Sequence, residues 1–364
     1  MSGSALDGLD IVYTHFQETG GKWSYELQHA DTLAYSPGWI ERLKNAVTLP
    51  ALDYQLLHTD YGHYIGTEVN RFIEANGLHH KVDLIASHGH TTFHVPARRM
   101  TGQIGDGAAI AAETGLPVVS DLRAMDMAFG GQGAPIVPIG EKLLLGAYAY
   151  FLNLGGIANI SIAASAADPS AGLSAFDVCP ANRVLNMLVA PLNKAYDEDG
   201  KTAATGHVHE PLLKELNTQS YYTLPYPKSL ANDFGTGIIY PLIKKYNLPL
   251  QDELRTYVEH IAQQIKNAVS ASLSNGQLST SSALQLLATG GGAFNTFLID
   301  RISARLKELS VDVIIPDKKL VNYKEALIMA LMGVFRWREE YNIMSSVTGA
   351  ERNSINGAVW LGNI

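Results

Sequence analysis

Two apolar runs, Tyr148 to Leu154 and Ile157 to Ile162, meet at a glycine pair inside Asn153-Leu-Gly-Gly-Ile-Ala-Asn159. The pattern predicts strand, tight turn, returning strand. Glycine at such a bend lets backbone approach a ligand closely and aim successive N–H groups at one anion. Neither of the two common phosphate loops, G-x-x-x-x-G-K-[ST] or a G-x-G-x-x-G opening a helix, occurs in the chain. Phosphate held here would be held by a hairpin, which confines the chain to a smaller set of nucleotide-binding architectures.

The 364 residues are enough for two domains, and 46% hydrophobic residues with 33 Gly describe a packed, glycine-rich protein. A net charge of −8 without any Lys/Arg run argues against nucleic acid as a partner. A single cysteine, Cys179, excludes a disulfide framework and a Cys-based zinc site. It reads as a small buried hydrophobe rather than a nucleophile. No basic-then-apolar leader opens the sequence and no stretch approaches a membrane span, so a soluble cytoplasmic protein without a membrane partner is expected.

Along the chain, Leu9–Glu18 reads as a strand, Thr19-Gly20-Gly21 as its turn, and Trp23, Tyr25 and Leu27 alternate on the return. Ile65, Val69, Phe72 and Ile73 share a helix face that Gly77 ends. Val82–Ser87 is a buried-type strand, Gly107–Thr114 a helix closed by Gly115, and Pro117–Leu122 a strand. Arg123–Pro138 reads as a long irregular segment. The second half repeats the order: the Asn153–Asn159 hairpin, a helix over Leu254–Leu273, a strand at Leu284–Ala288, a helix from Asn295, a strand at Val311–Pro316 and a helix at Tyr323–Arg338. Two such halves predict a duplicated α/β fold with ligand in the cleft between them and two hairpins facing each other across phosphate. The boundary is expected near residue 138, with the tail from about 345 returning to the first domain.

Several residues are candidates for chemistry, each with a plainer reading beside it. Thr289-Gly-Gly-Gly-Ala-Phe-Asn295 offers a backbone floor for a nucleobase or ribose, or is a tight strand-to-helix turn capped by Asn295. Asp7 before Gly8 is placed to hold Mg²⁺ through water, or forms an ordinary Asp-Gly turn. Asp177, in Phe176-Asp177-Val-Cys-Pro-Ala-Asn182, is a general base or a helix cap. His88 and His90 suit substrate hydrogen bonds or polar packing better than a metal, since no further ligand cluster accompanies them. Arg123 either forks onto a substrate carboxylate or pairs with Asp126.

Taken together, the motifs resemble the anhydro-N-acetylmuramic acid kinases of the sugar kinase/Hsp70/actin superfamily. The resemblance runs nearly end to end. It includes Gly3-Ser-Ala-Leu-Asp-Gly8, Ser87-His-Gly-His90 with His94, Gln103-Ile-Gly-Asp106, Asp121-Leu-Arg123 with Asp126, and Gly130-Gly-Gln-Gly-Ala-Pro135. It continues through Asn153–Asn159, Phe176-Asp177, Pro180, Asn182, Tyr196-Asp197, Asp199-Gly200, Pro227-Lys-Ser229, Gly290-Gly-Gly-Ala293, Glu325-Ala326 and Val347-Thr-Gly-Ala350. The chain departs from the family pattern at Ser4-Ala5, where the family has Thr-Ser, at His90, where it has Gln, and at Val178, Cys179 and Ala181, where it has Thr, Gly and Gly. The last two add side chains where the family keeps glycine, and are expected to crowd the turn there.

The resemblance implies a two-lobed actin-like ATPase (ribonuclease H-like) fold, with residues 1–138 plus about 345–364 as a sugar and phosphate lobe and 139–344 as an ATP lobe. It implies ATP and Mg²⁺, a small anhydro sugar as substrate, and a homodimer. One turnover would open the 1,6-anhydro ring with water and phosphorylate O6. Asp177 would be the general base. ATP and its phosphates would meet Gly3, Ser4, Asp7, Gly8, Asn153, Gly155, Gly156, Asn159, Gly290, Gly291, Gly292 and Ala293, with Asp7 on Mg²⁺ through water. The sugar would meet His88, His90, Arg123, Asn182 and Glu325. A kinase of another anhydro sugar such as levoglucosan, and a non-catalytic nucleotide-binding regulator on the same fold, are the alternatives.

Overall fold

The computed structural model describes residues 1–3, 6–146, 148–163, 173–225, 228–230, 233–274 and 284–362. Ser4, Ala5 and Pro227 lie outside the described residues. Its contacts divide the chain into two compact units, Met1–Leu145 with Tyr323–Ile364, and Gly146–Asn322. The limits differ from the expected ones: the chain re-enters unit 1 at Tyr323, inside a helix, and not near 345.

Unit 1 opens with the hairpin of β1 (Gly8–Thr19) and β2 (Lys22–Ala34), antiparallel along its whole length. Helices α1 (Pro37–Asn45) and α2 (Ala51–Ala75) follow. On α2 the predicted face of Ile65, Val69, Phe72 and Ile73 is buried, and Gly77 at φ +62° stops the chain from continuing as helix. The strand expected over Val82–Ser87 pairs only as β3 (Ile85–Ala86). After β4 (His90–Val95) and β5 (Met100–Ile104) comes α3 (Gly107–Thr114), capped by Asp106 accepting from Ala108 N at 2.9 Å and ended by Gly115 at φ +69°. β6 (Val118–Ser120) pairs with β3. The segment read as irregular holds α4 (Ala124–Ala128) and reaches α5 (Pro138–Leu144). The glycines that hid α4 from a propensity reading lie just after it.

Unit 2 contains β7 (Tyr150–Leu154), β8 (Ile157–Ile162) and β9 (Ser174–Pro180), then α6 (Asn182–Val189), α7 (Lys201–Ala204), α8 (Glu210–Asn217), α9 (Tyr240–Lys245), α10 (Leu250–Ser274), β10 (Leu284–Thr289), α11 (Thr296–Lys307) and β11 (Val311–Ile314). The strand order is β11-β10-β7-β8-β9. β7, β8 and β9 meander antiparallel, while β10 and β11 join parallel to β7. That is the ribonuclease H-like arrangement the resemblance implies. Val258, Ile261, Ala262, Ile265 and Val269 of α10 are fully buried, as their spacing predicts. β9 is the element the sequence reading lacked. Helix α12 (Lys318–Trp337) begins in unit 2 and continues into unit 1, where β12 (Ala358–Trp360) pairs antiparallel with β6.

Candidate functional site

In unit 2 a bulge sets the acidic candidate. Along β8 and β9, Ala158 pairs with Cys179 but the next residue, Asn159, pairs with Asp177, so Val178 is an extra residue in β9. The bulge puts Asp177 and Cys179 on opposite faces. It also frees the Asp177 N–H from the ladder to donate to Lys228 O at 3.1 Å. Tyr221 Oη donates to Asp177 O at 2.6 Å, and Leu230 N donates to Asp177 Oδ2 at 2.8 Å. Asp177 is therefore not a helix cap: three bonds fix it to the 221–230 stretch. Burial pushes its carboxyl above the usual carboxylate range, against the Leu230 hydrogen bond. Directly paired residues of neighbouring strands share a face, so Thr289, Asn153, Asn159 and Asp177 form one polar row across β10, β7, β8 and β9.

The Gly155-Gly156 turn is held from below. Asn182 N donates to Gly155 O at 3.1 Å and Ala181 N to Gly156 O at 2.8 Å, while Asn182 Nδ2 donates to Leu154 O at 2.9 Å. Asn182 thus positions the turn. Cys179 and Ala181 do not crowd it, contrary to expectation: both are fully buried in the apolar core of unit 2, and small Ala158 faces Cys179. Burial pushes the Cys179 thiol far up, leaving no thiolate to react.

Gly290, Gly291 and Gly292 follow β10, and Asn295 caps α11 by accepting from Leu298 N at 3.0 Å. Gly290 sits at φ +80°, and a Cβ there would run into Asn153 Oδ1 and lie 3.0 Å from Leu154 O. At Gly291 a Cβ meets nothing nearer than Asn182 Nδ2 at 3.8 Å. Gly290→Ala is expected to cost about 2–4 kcal/mol, from a left-handed backbone plus the collision, and Gly291→Ala less than about 1 kcal/mol. Urea midpoints of the two variants check this.

In unit 1, His88 Nδ1–H donates to Gly89 O at 3.0 Å. Its Nε2 is left as the acceptor for Arg123 Nε–H at 2.8 Å. Burial and the guanidinium both hold His88 well below the usual imidazole range, so it is neutral. Arg123 also donates to Gly133 O. The alternative pairing with Asp126 does not form, because Asp126 accepts from Thr348 Oγ1 at 2.6 Å and from Gly133 N at 2.8 Å. Among the described residues no carboxylate makes an ion pair with Arg123. Burial lowers it to about 10, opposed by the more distant Glu325 and Asp126, and it remains a cation at neutral pH.

His90 belongs to a chain of hydroxyls: its Nδ1 lies 3.1 Å from Ser2 Oγ, which accepts from Tyr35 Oη at 2.8 Å, and Tyr35 meets the Tyr61 hydroxyl at 2.5 Å. Asp7 is exposed, and Gly8 behind it is required because a Cβ would lie 2.7 Å from Leu33 O. Asp10, not singled out by sequence, accepts from Thr32 Oγ1 at 2.7 Å. Its carboxyl is raised by burial first, then by Asp7 and Glu325, against Thr32 and the Met1 amine. The Asp7-x-x-Asp10 spacing into a strand was the available signal. No group of three His, Cys, Asp or Glu gathers closely enough to cage a metal among the described residues.

A family model described as anhydro-N-acetylmuramic acid kinase matches residues 1–362. An anhydro-N-acetylmuramic acid kinase of Francisella tularensis subsp. novicida is 34% identical over 99% of this chain and 97% of that protein. The kinase of the same name from Photobacterium profundum is 30% identical, with 99% and 97% covered. Among solved structures, the activator of 2-hydroxyisocaproyl-CoA dehydratase from Clostridium difficile, with bound ADPNP, is 14% identical at TM-score 0.34, covering 61% of this chain and 68% of that one.

Proposed function

The chain belongs to the anhydro-N-acetylmuramic acid kinase family, and we propose that it is the ATP-dependent kinase that opens 1,6-anhydro-N-acetylmuramic acid with water and phosphorylates O6, giving N-acetylmuramic acid 6-phosphate. The observation that carries the substrate assignment is Arg123, a largely buried cation held by a neutral imidazole and a carbonyl, with no carboxylate among the described residues paired to it. The lactyl ether of this sugar supplies one carboxylate, and levoglucosan supplies none. His88, His90 and Glu325 would make further sugar contacts.

Asp177, ionised, takes a proton from water as the water oxygen bonds to the anomeric carbon. The C1–O6 bond breaks, and O6 attacks the γ-phosphorus while ADP leaves. Backbone N–H groups of the Gly155-Gly156 turn, and those of Gly3 and Gly8, would meet developing charge on the transferred phosphoryl. The turn of Gly290, Gly291 and Gly292, which carry no side chains, would lie with Ala293 against the nucleoside. Asp7 and Asp10 offer the hard oxygen donors Mg²⁺ prefers, and would hold it largely through water. Mg²⁺ there would neutralise phosphate charge. The same reading places the enzyme in the cytoplasm, as a homodimer in cell-wall recycling.

Coupled ADP release with the anhydro sugar, levoglucosan and plain N-acetylmuramic acid, with and without Mg²⁺, tests the assignment. Turnover of the first alone is expected, and turnover of none of the three would overturn the reading. Arg123→Ala is expected to raise KM for the anhydro-muramic substrate by about 10–100-fold, the worth of a charge-assisted pair. If levoglucosan turns over equally well and Arg123→Ala changes nothing, the other anhydro-sugar kinase is the correct reading.

A further inference from the structure

The 221–230 stretch grips Asp177, yet it has little structure of its own. Its described residues hold part of one short 3₁₀ turn, Ser220–Thr223, and no strand. A segment without a ladder takes its order from whatever anchors it. Lys228 Nζ supplies one anchor, donating to Tyr221 O at 3.2 Å and to Tyr222 O at 3.5 Å from 4.7 Å above the centre of the Tyr221 ring. Those bonds fold the stretch back on itself and leave open what fixes it to the rest of unit 2.

That tie is a polar chain from α10. His260 is fully buried on the face of α10 that carries Tyr257 and Ile261. Its Nδ1 lies 2.7 Å from Oδ1 of Asn217, the last residue of α8, and Gln264 Nε2 donates to the same oxygen at 2.8 Å. A carbonyl oxygen only accepts, so His260 Nδ1 carries the hydrogen. Burial pushes His260 down to about 3, so the ring is neutral and has a single N–H. Its Nε2 is then an acceptor, and the hydroxyl of Tyr222, 2.9 Å away, donates to it. The same turn of α10 reaches Asp177's own strand: Tyr257, stacked on His260 with ring centres 5.5 Å apart, donates its hydroxyl to Pro180 O at 2.7 Å. Pro180 is the last residue of β9.

An imidazole in an apolar core costs desolvation that a leucine would not. Here both ring nitrogens are bonded, which offsets that cost. What the imidazole adds over a leucine is a fixed position for the Tyr222 hydroxyl.

We propose that His260 is a positioning residue for Asp177: through Tyr222 it fixes the stretch whose Tyr221 hydroxyl, Lys228 carbonyl and Leu230 amide orient the Asp177 carboxylate. Leu230 N–H occupies Oδ2 and leaves Oδ1 to meet the attacking water. The same bond favours the ionised carboxylate against burial. Its loss therefore raises the Asp177 pKa, and the base protonates at higher pH. This assignment rests on the reading of Asp177 as the general base.

The test uses full-length variants: His260→Leu, Tyr222→Phe, the two combined, His260→Gln, Gln264→Leu and Asp177→Asn. Three quantities are read: amide exchange at Leu230 relative to Leu152 in the core strand β7, the Asp177 carboxyl titration by carbon NMR, and kcat with KM. His260→Leu and Tyr222→Phe are each expected to speed relative exchange at Leu230 by at least about tenfold. Both should move the Asp177 titration and the acid limb of kcat/KM to higher pH. Both should lower kcat by about tenfold or more, with KM for sugar and ATP within about threefold of the parent. The combined variant should be no worse than His260→Leu, because both changes break one bond. His260→Gln keeps an oxygen to accept from Tyr222 and should restore all three quantities. Gln264→Leu removes the other bond to Asn217 and should lower only the thermal midpoint.

Unchanged Leu230 exchange and Asp177 titration in His260→Leu and Tyr222→Phe overturn the proposal. Equal changes in Gln264→Leu also overturn it, because the chain then merely supports the fold. An unchanged kcat in the two variants beside a lowered one in Asp177→Asn overturns it as well. Altered exchange and titration with kcat unchanged even in Asp177→Asn would instead remove the general-base reading, while His260 would still be what orients Asp177. Should His260→Leu fail to fold, Tyr222→Phe, which keeps the ring and loses one oxygen, decides alone.

Discussion

Asp177→Asn is expected to lower kcat by about 10²–10⁴-fold, the usual contribution of a positioned general base. The substitution keeps a carbonyl oxygen for the Leu230 N–H and leaves the backbone bonds to Lys228 and Tyr221 in place. Folding and nucleotide affinity should therefore stay near those of the parent chain, and the loss should fall on kcat. The pH profile supplies a second readout. Burial raises the Asp177 pKa in the folded protein. The base is active when ionised, so kcat/KM should fall as pH drops through a value above the ordinary carboxylate range. That limb should vanish in Asp177→Asn. A loss below about tenfold, or an unchanged acid limb, removes the assignment.

The bulge explains why Asp177 was visible in the sequence while its setting was not. Phe176-Asp177 ends an apolar run, which marks a carboxylate at a strand end, but no local pattern shows that Val178 is an unpaired extra residue. Bulges depend on what the partner strand offers, here Ala158 opposite Cys179. The same limit applied to Cys179 and Ala181: read beside a glycine turn they looked obstructive, and only the change of face sends them into the core. Periodic features were legible because each contains its own signal. The α2 and α10 faces, the Asn295 cap and the Gly115 stop all form where the sequence places them. β3 shows the converse. Val82–Ser87 has the composition of a buried strand, yet only Ile85–Ala86 pair, because a strand is defined by its neighbours and β3 pairs with β6 alone among the described residues. Asp10, Ser2, Tyr35 and Tyr61 were missed for a related reason: their relation to His90 and Glu325 arises from contacts between residues distant in sequence.

Lys324→Met is expected to destabilise the protein by about 3–5 kcal/mol, the penalty for leaving one member of a buried ion pair alone. Lys324 Nζ lies 2.6 Å from Glu141 Oε1, with the two side chains 3% and 2% exposed, and Glu141 Oε2 has no hydrogen-bond partner. A carboxylate so placed depends almost wholly on that one cation. The pair joins α5 to α12 within unit 1, beside Glu325, the proposed sugar contact. Glu141→Leu combined with Lys324→Met should recover most of the stability, because replacing both charges removes their desolvation cost together with their attraction. Recovery of the thermal midpoint in the double variant, with a raised KM for the sugar, would mean that the pair serves to set Glu325. Recovery of both would mean that apolar packing sets α12 equally well. A single variant as stable as the parent would show that the pair contributes little to the fold.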